Sequence, residues 1–341
     1  MYARGRNIVA VVICVLGLSL ASADSLDAAA FQQLLGTYRT GRAQDAINKL
    51  AAWPVDRLVA AAKASTPQLS SSDRMAAAIL QAEVANAWLD LHRGRYGLVS
   101  LLSPNDALKV TDVINSGLAL LHDARRAPFG DRLGDEPRRS WYYAVASSLV
   151  ASILLPEASA LIDAGLKAFP DDPLLVTARG TIAAGHPRMR FHSTKAALAD
   201  YQRALALAPD LAIIKLRLGQ LYVDLGSGRE AARWLQSVAS GASTDDQRYL
   251  AHLLLGRIAA AEHDLEMSDA EYFKAYRLGA GYQAACIALS RSEEVLEHPE
   301  RAADIAEDCF RLSEHDDPWP YYHAMGDPDA LPHLRAEARC R

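Results

Sequence analysis

Residues Leu216–Gln236 read LRLGQLYVDLGSGREAARWLQ, with glycines at Gly219 and Gly226, an aromatic at Tyr222 and a small residue at Ala231. Each glycine costs a helix interior about 1 kcal/mol relative to alanine. Two of them in a stretch otherwise made of good helix formers need a structural reason. The rest of the chain supplies one, because the spacing recurs. Ser268 follows Gly256 by twelve residues, as Ala231 follows Gly219. Gly185 and Ala197 stand 34 residues before Gly219 and Ala231. Tyr272 and Ala275 are placed after Ser268 as Tyr201 and Ala204 are after Ala197. One more 34-residue step carries Ser268 to Ala302 and Ala275 to Cys309.

A repeat of this length built from alanine- and leucine-rich segments resembles the tetratricopeptide repeat, a two-helix unit of about 34 residues. The resemblance is best over Leu174–Leu312 and implies an all-α fold, an α-solenoid of antiparallel helix pairs. Small residues in the first helix (Gly180, Gly219, Gly256, Ser290) and second helix (Ala231, Ser268) then let paired backbones approach. Gly226 and Gly228 fall at the turn between helices, where positive φ favours glycine. Pro209 stops a second helix. Gly219 is expected to pack on Ala231. Few segments alternate with period two, so no sizeable sheet is expected.

Working outward, the repeats are expected over 141–312, with an earlier pair in Trp141–Leu154 and the segment leading to Pro170. Residues 122–140 are charged and punctuated by glycine and proline, and read as a linker. Residues 24–121 read as a divergent helical region. Within it Gly36, Tyr38, Gly41 and Ala46 suggest one degenerate repeat. Residues 313–341 read as a proline-rich turn followed by a capping helix over Asp327–Arg339, the polar-faced end that a stacked array needs.

The N-terminus has the three parts of a secretory signal peptide: Arg4 and Arg6, a short apolar run Ile8–Leu20, and the small-residue site Ala21-Ser22-Ala23. The run is shorter than the roughly 20 residues that span a bilayer. Cleavage after residue 23 predicts an exported protein, periplasmic or secreted, without stable membrane insertion. Losing Arg4 and Arg6, with no acidic residue, takes the formal charge from −5 to −7. Such an acidic chain is a poor partner for nucleic acid or an anionic membrane. Three cysteines remain after cleavage. Cys286 and Cys309 fall on the two helices of one expected hairpin, either bridged or as two small buried thiols.

No nucleotide-binding glycine loop, nucleophile elbow, HExxH or CxxC is present. The histidine pairs His186/His192 and His315/His323 lack the spacing of a metal site. Adjacent carboxylates Asp316 and Asp317 do not straddle a bond as glycoside hydrolysis requires. No cofactor, metal or catalytic residue is therefore expected. In tetratricopeptide arrays the residue after the close-contact glycine looks into a concave groove. By resemblance that row is Thr181, Gln220, Arg257 and Arg291, with Val223 and Asp224 one turn on. Two arginines at matched positions suit a carboxylate, or else pair locally, for example with Glu294. The long loop Gly185–Ser193, with Arg188, Arg190 and Phe191, is a second candidate contact or a tolerated insertion. The resemblance implies a scaffold that binds a protein or peptide partner. The alternatives are an envelope enzyme or accessory subunit using the N-terminal region, and a structural subunit of an envelope assembly.

Overall fold

The computed structural model describes residues 25–96, 112–117, 135–151, 155–185, 193–279, 282–309, 311, 317–323, 325–327 and 329–330. These residues form helices joined by short turns, with no strand among them. They divide into two compact units, one running to Trp141 and the other spanning Tyr142–Ala330. The leader, the loop bearing Arg188, Arg190 and Phe191, and residues 331–341 lie outside the described residues.

The first unit holds α1 (residues 25–39), α2 (Ala43–Ala51), α3 (Val55–Ser65), a 3₁₀ turn (Thr66–Gln68), α4 (Ser71–Tyr96) and α5 (residues 112–117). Phe31, Leu35 and Tyr38 recur at helical spacing on α1 and are buried, as are Ala43, Ala46, Ile47 and Leu50 on α2. That spacing places each set on one face. Gly41 closes α1 at φ +94°, with Gly41 N–H donating to Tyr38 O and Arg42 N–H to Thr37 O. This is the paired 5→2 and 6→1 pattern of a Schellman turn. The long α4 buries Ala76, Ala77 and Ala78, small enough for Gly117 and the Trp141 ring to approach. Trp141 Nε1 donates to Ala78 O at 3.4 Å.

The division between the units falls within α6 (Asp135–Ala151). The expected linker over 122–140 is therefore corrected in its second half, which is helical from Asp135. Its apolar and aromatic continuation, beginning at Trp141, gives that helix a buried face.

The second unit continues as α7 (Leu155–Ala168), α8 (Pro173–Ala184), α9 (Thr194–Leu207), α10 (Ala212–Asp224), α11 (Gly228–Ala239), α12 (Asp245–Ala261), α13 (Leu265–Leu278), α14 (Gln283–Val295), α15 (Pro299–Cys309) and α16 (Pro318–His323). Helices α8/α9, α10/α11, α12/α13 and α14/α15 pack as successive hairpins, and each pair packs on the next. The stack is an α-solenoid of the tetratricopeptide type. Second helices bury one stripe: on α11 only Ala231, Leu235 and Val238 are buried. First helices are enclosed on most sides, and α12 buries nine residues, Tyr249 to Ala259 among them. Asp172, Ser193, Thr244 and Asp264 cap helix starts by accepting a backbone N–H three residues on, the preferred N-cap chemistry.

Close approach is what the small residues provide. A Cβ on Gly180 would lie 2.8 Å from the Tyr201 ring, one on Gly219 2.6 Å from Leu235, and one on Gly256 2.5 Å from Tyr272. Gly219 thus meets Leu235, one turn beyond the expected Ala231, because helical side chains lean toward the preceding turn. In the third pair Ser268 Oγ donates to Gly256 O at 3.0 Å. In the fourth the roles reverse, and Ser290 Oγ donates to Ala302 O at 2.8 Å. In these two pairs the twelve-residue spacing brings the same two positions together. Cys286 and Cys309 are joined as a disulfide across this last pair, with Cα atoms 5.5 Å apart.

The turns repeat too. Gly226 (φ +70°), His263 (φ +62°) and Glu297 (φ +65°) each end a first helix. The following N–H reaches back five residues in all three: Ser227 to Tyr222 O, Asp264 to Ala259 O, and His298 to Glu293 O. Gly228, by contrast, does not need positive φ. It opens α11 close to Ile258 and the Glu262 carboxylate.

Candidate interaction site on the inner face

The first helices share one face, and the C-terminal segment lies along it. Asp317 is the anchor. Its carboxylate accepts from Tyr249 Oη of α12 at 2.9 Å, from Ala284 N of α14 at 2.6 Å and from Trp319 N at 2.9 Å. Arg217 of α10 donates to Tyr322 O at 3.1 Å and to Gly326 O, and its guanidinium lies 3.9 Å from the centroid of the Tyr322 ring. Asp327 accepts from Tyr143 Oη of α6 at 2.8 Å, and its N–H reaches Ser147 Oγ. Thr244 Oγ1, at the start of α12, donates to Asp329 at 3.2 Å. Residues 317–330 are therefore tied to α6, α10, α12 and α14. Within the expected proline-rich turn, Pro318–His323 is helical; Asp327 accepts from Asp329 N at 3.1 Å and Ala330 is helical, while the rest of the expected capping helix lies outside the described residues. Asp317, with three hydrogen bonds, is an anchor and not a free acid–base group.

The row expected to look into a groove is brought together only in part. Thr181 is buried, donating to Thr177 O and accepting from Tyr201 Oη, so it cannot meet a large partner directly. Gln220 and Asp224 hydrogen-bond each other at 2.7 Å and border a recess of ≈ 80 Å³ beside Tyr322. Val223 packs on the core. Arg257 lies 5.8 Å from the centroid of Trp319, whose ring stacks on His323 at 5.5 Å. Arg291 is exposed on α14, between the half-exposed apolar Ile287 and Val295 (each 52 %) at four-residue spacing on the same face. Neither arginine makes an ion pair among the described residues, and Glu294 takes neither.

The electrostatics follow this placement. Burial pushes the Tyr272 hydroxyl up, against its hydrogen bond with Ser268 and the fields of Arg257 and Arg291. Burial raises the Asp224 carboxyl, opposed by Gln220 and by Arg257. Burial and then Arg257 hold the His323 imidazole below its ordinary value. Burial pushes the Tyr201 hydroxyl up to about 12. Another polar cluster, His252 with Glu271 at 2.6 Å and Glu271 with Lys274 at 2.6 Å, ties α12 to α13. Among the described residues no group of His, Cys, Asp and Glu is arranged to hold a metal ion. No described helix is long and apolar enough to cross a membrane.

One residue central to this face, Arg217, is not singled out by pattern. The available signal was Arg217 itself, a charge set between Leu216 and Leu218 in a helix buried on most sides. A buried guanidinium requires acceptors, and the carbonyls of the C-terminal segment supply them.

No protein-family model and no curated protein matches the chain. Among solved structures it is similar to PilW, a widely conserved type IV pilus biogenesis factor, at 18% identity and TM-score 0.44, over 60% of this chain and 93% of that one. It is similar to PilF of Pseudomonas aeruginosa at 14% identity and TM-score 0.47, over 60% and 92%. It is similar to a tetratricopeptide repeat protein from Parabacteroides merdae at 13% identity and TM-score 0.41, over 75% and 86%.

Proposed function

We propose that this chain is an exported scaffold that binds a protein or peptide partner on its inner face and performs no chemistry. The observation that carries the reading is the pair Arg257 and Arg291, at matched positions on successive first helices and without ion-pair partners among the described residues. A guanidinium left unpaired beside Trp319 and Tyr272 suits a carboxylate. Ile287 and Val295, on either side of Arg291, suit apolar neighbours of that acid. The partner segment is therefore an acidic residue or chain terminus flanked by apolar side chains. It docks across α12 and α14, where Arg257 and Arg291 stand beside Trp319 of the C-terminal segment. Export is supported by the leader pattern over residues 1–23.

The test is affinity capture from envelope and secreted fractions with the mature chain as bait, beside an Arg257→Glu, Arg291→Glu version. A partner retained by the first and lost by the second, both folded by circular dichroism, supports the reading. A partner held equally by both moves the interface elsewhere.

A further inference from the structure

The recess between α8, α9, α10 and the C-terminal segment holds more unsatisfied polarity than a packed joint requires. Its volume is ≈ 80 Å³. About 10–15 Å³ of such space holds one water-sized group, so the recess suits an occupant of about five to eight non-hydrogen atoms. Tyr322, fully buried in its wall, ends in a hydroxyl with no hydrogen-bond partner among the described residues. The Oε1 of Gln220 is likewise buried and unpartnered. The orientation of that amide is set, because Nε2 donates to Asp224 Oδ1 at 2.7 Å and an ionised carboxylate only accepts. Oε1 therefore lacks a donor among the described residues.

The charges have the same character. Arg217 is buried and spends two N–H donors on the carbonyls of Tyr322 and Gly326, with no carboxylate in ion-pair contact among the described residues. Asp224 shares the recess and is likewise not ion-paired among the described residues. Met325, also in the wall, is held at φ +78°, a backbone state that persists in a non-glycine residue only where its surroundings impose it.

We infer that this recess binds a small zwitterion of glycine or alanine size. Its ammonium sits by Asp224 and Gln220 Oε1, and its carboxylate meets the remaining Arg217 donors and the Tyr322 hydroxyl. A simple anion would leave Gln220 Oε1 without a donor and face Asp224. A simple cation would face Arg217. A zwitterion serves both ends. The inference stands on the recess alone and is independent of the partner proposal.

Isothermal titration of the mature chain with glycine, L-alanine, acetate and methylammonium tests it. Glycine or alanine binds, and acetate and methylammonium bind at least about tenfold more weakly, each having lost one set of charge-assisted hydrogen bonds. Asp224→Asn and Tyr322→Phe each weaken amino-acid binding by about tenfold. Tyr322→Phe leaves the melting temperature of the unliganded protein unchanged or higher, because the hydroxyl it removes has no partner, so lost binding is not lost folding. The inference is overturned if neither amino acid binds up to about 10 mM. It is equally overturned if acetate or methylammonium binds as well as the amino acids, or if both variants bind like the parent.

Discussion

Replacing Gly256 with alanine sets two opposed effects against each other at one position. Alanine relieves the helix-propensity penalty of glycine, a gain of about 1 kcal/mol. The new Cβ, however, would stand 2.5 Å from Cδ1 and Cε1 of Tyr272 and 3.0 Å from its Cζ. Carbon atoms rest about 3.5–4.0 Å apart, so the ring or the α12–α13 spacing has to give by about 1 Å. The ring has little freedom, since it packs on the repeat core and the backbones beneath are drawn together by the Ser268 Oγ bond to Gly256 O. Overpacking of this kind costs about 1–3 kcal/mol, and with both hydrogen-bonded helices resisting we place it near the top of that range. The net expectation is destabilisation of about 1–2 kcal/mol. Gly36 is the control. It lies in α1 with nothing within 4 Å of an added Cβ. Gly36→Ala therefore keeps the propensity gain, up to about 1 kcal/mol. Urea unfolding followed by far-UV circular dichroism, which need not be a single transition in a two-unit chain, reads both. A Gly256→Ala protein as stable as the parent refutes the close-packing argument and the repeat register with it.

His263 holds a left-handed turn at φ +62° where the preceding repeat has glycine, so His263→Gly should raise the urea midpoint, by about 1 kcal/mol of stability. Burial acts to raise the Glu271 carboxyl, but hydrogen bonds from His252 and Lys274 outweigh it and hold it below its ordinary value. A carboxyl depressed on folding contributes stability above the unfolded value of about 4.3 and loses it as pH falls through the folded one. Glu271→Gln should therefore flatten the acid limb of a stability–pH profile, and an unaltered limb would show that the cluster contributes nothing. Thiol labelling under denaturing, non-reducing conditions should find one free cysteine in the exported protein, Cys340. Two would mean that Cys14 and the leader are retained, and three or more that Cys286 and Cys309 are not bridged.

Much of the second unit was legible in the sequence because its determinants are local. A glycine or serine twelve residues from a small partner spans one helical hairpin, and the turn between the helices is closed by bonds reaching five residues back. Such signals lie inside a window of about 34 residues. The candidate site was less legible. Arg257 and Arg291 were placed by register, but register could not show that Thr181 is buried under Tyr201 or that Val223 packs inward. The N-terminal hairpin shows the limit between these cases. Its spacing is short, yet Gly41 makes the same turn as Gly226, because the turn depends only on residues in contact with it.

The sequence by itself determined an all-helical chain, the pairing of its helices and where each pair turns, since propensity, periodicity and positive-φ glycines act over a few residues. Only the tertiary structure decided what covers the inner face. The bonds that seat the C-terminal segment join residues far apart in sequence: Arg217 reaches Tyr322 and Gly326, and Tyr143 reaches Asp327. No local pattern at 318–330 announces them, because a proline-rich stretch reads as a turn until a buried guanidinium is known to need its carbonyls. Desolvation of Arg217 between two leucines is the physical reason the segment folds back, and its return is what turns an expected open groove into a covered one with a small polar recess beneath.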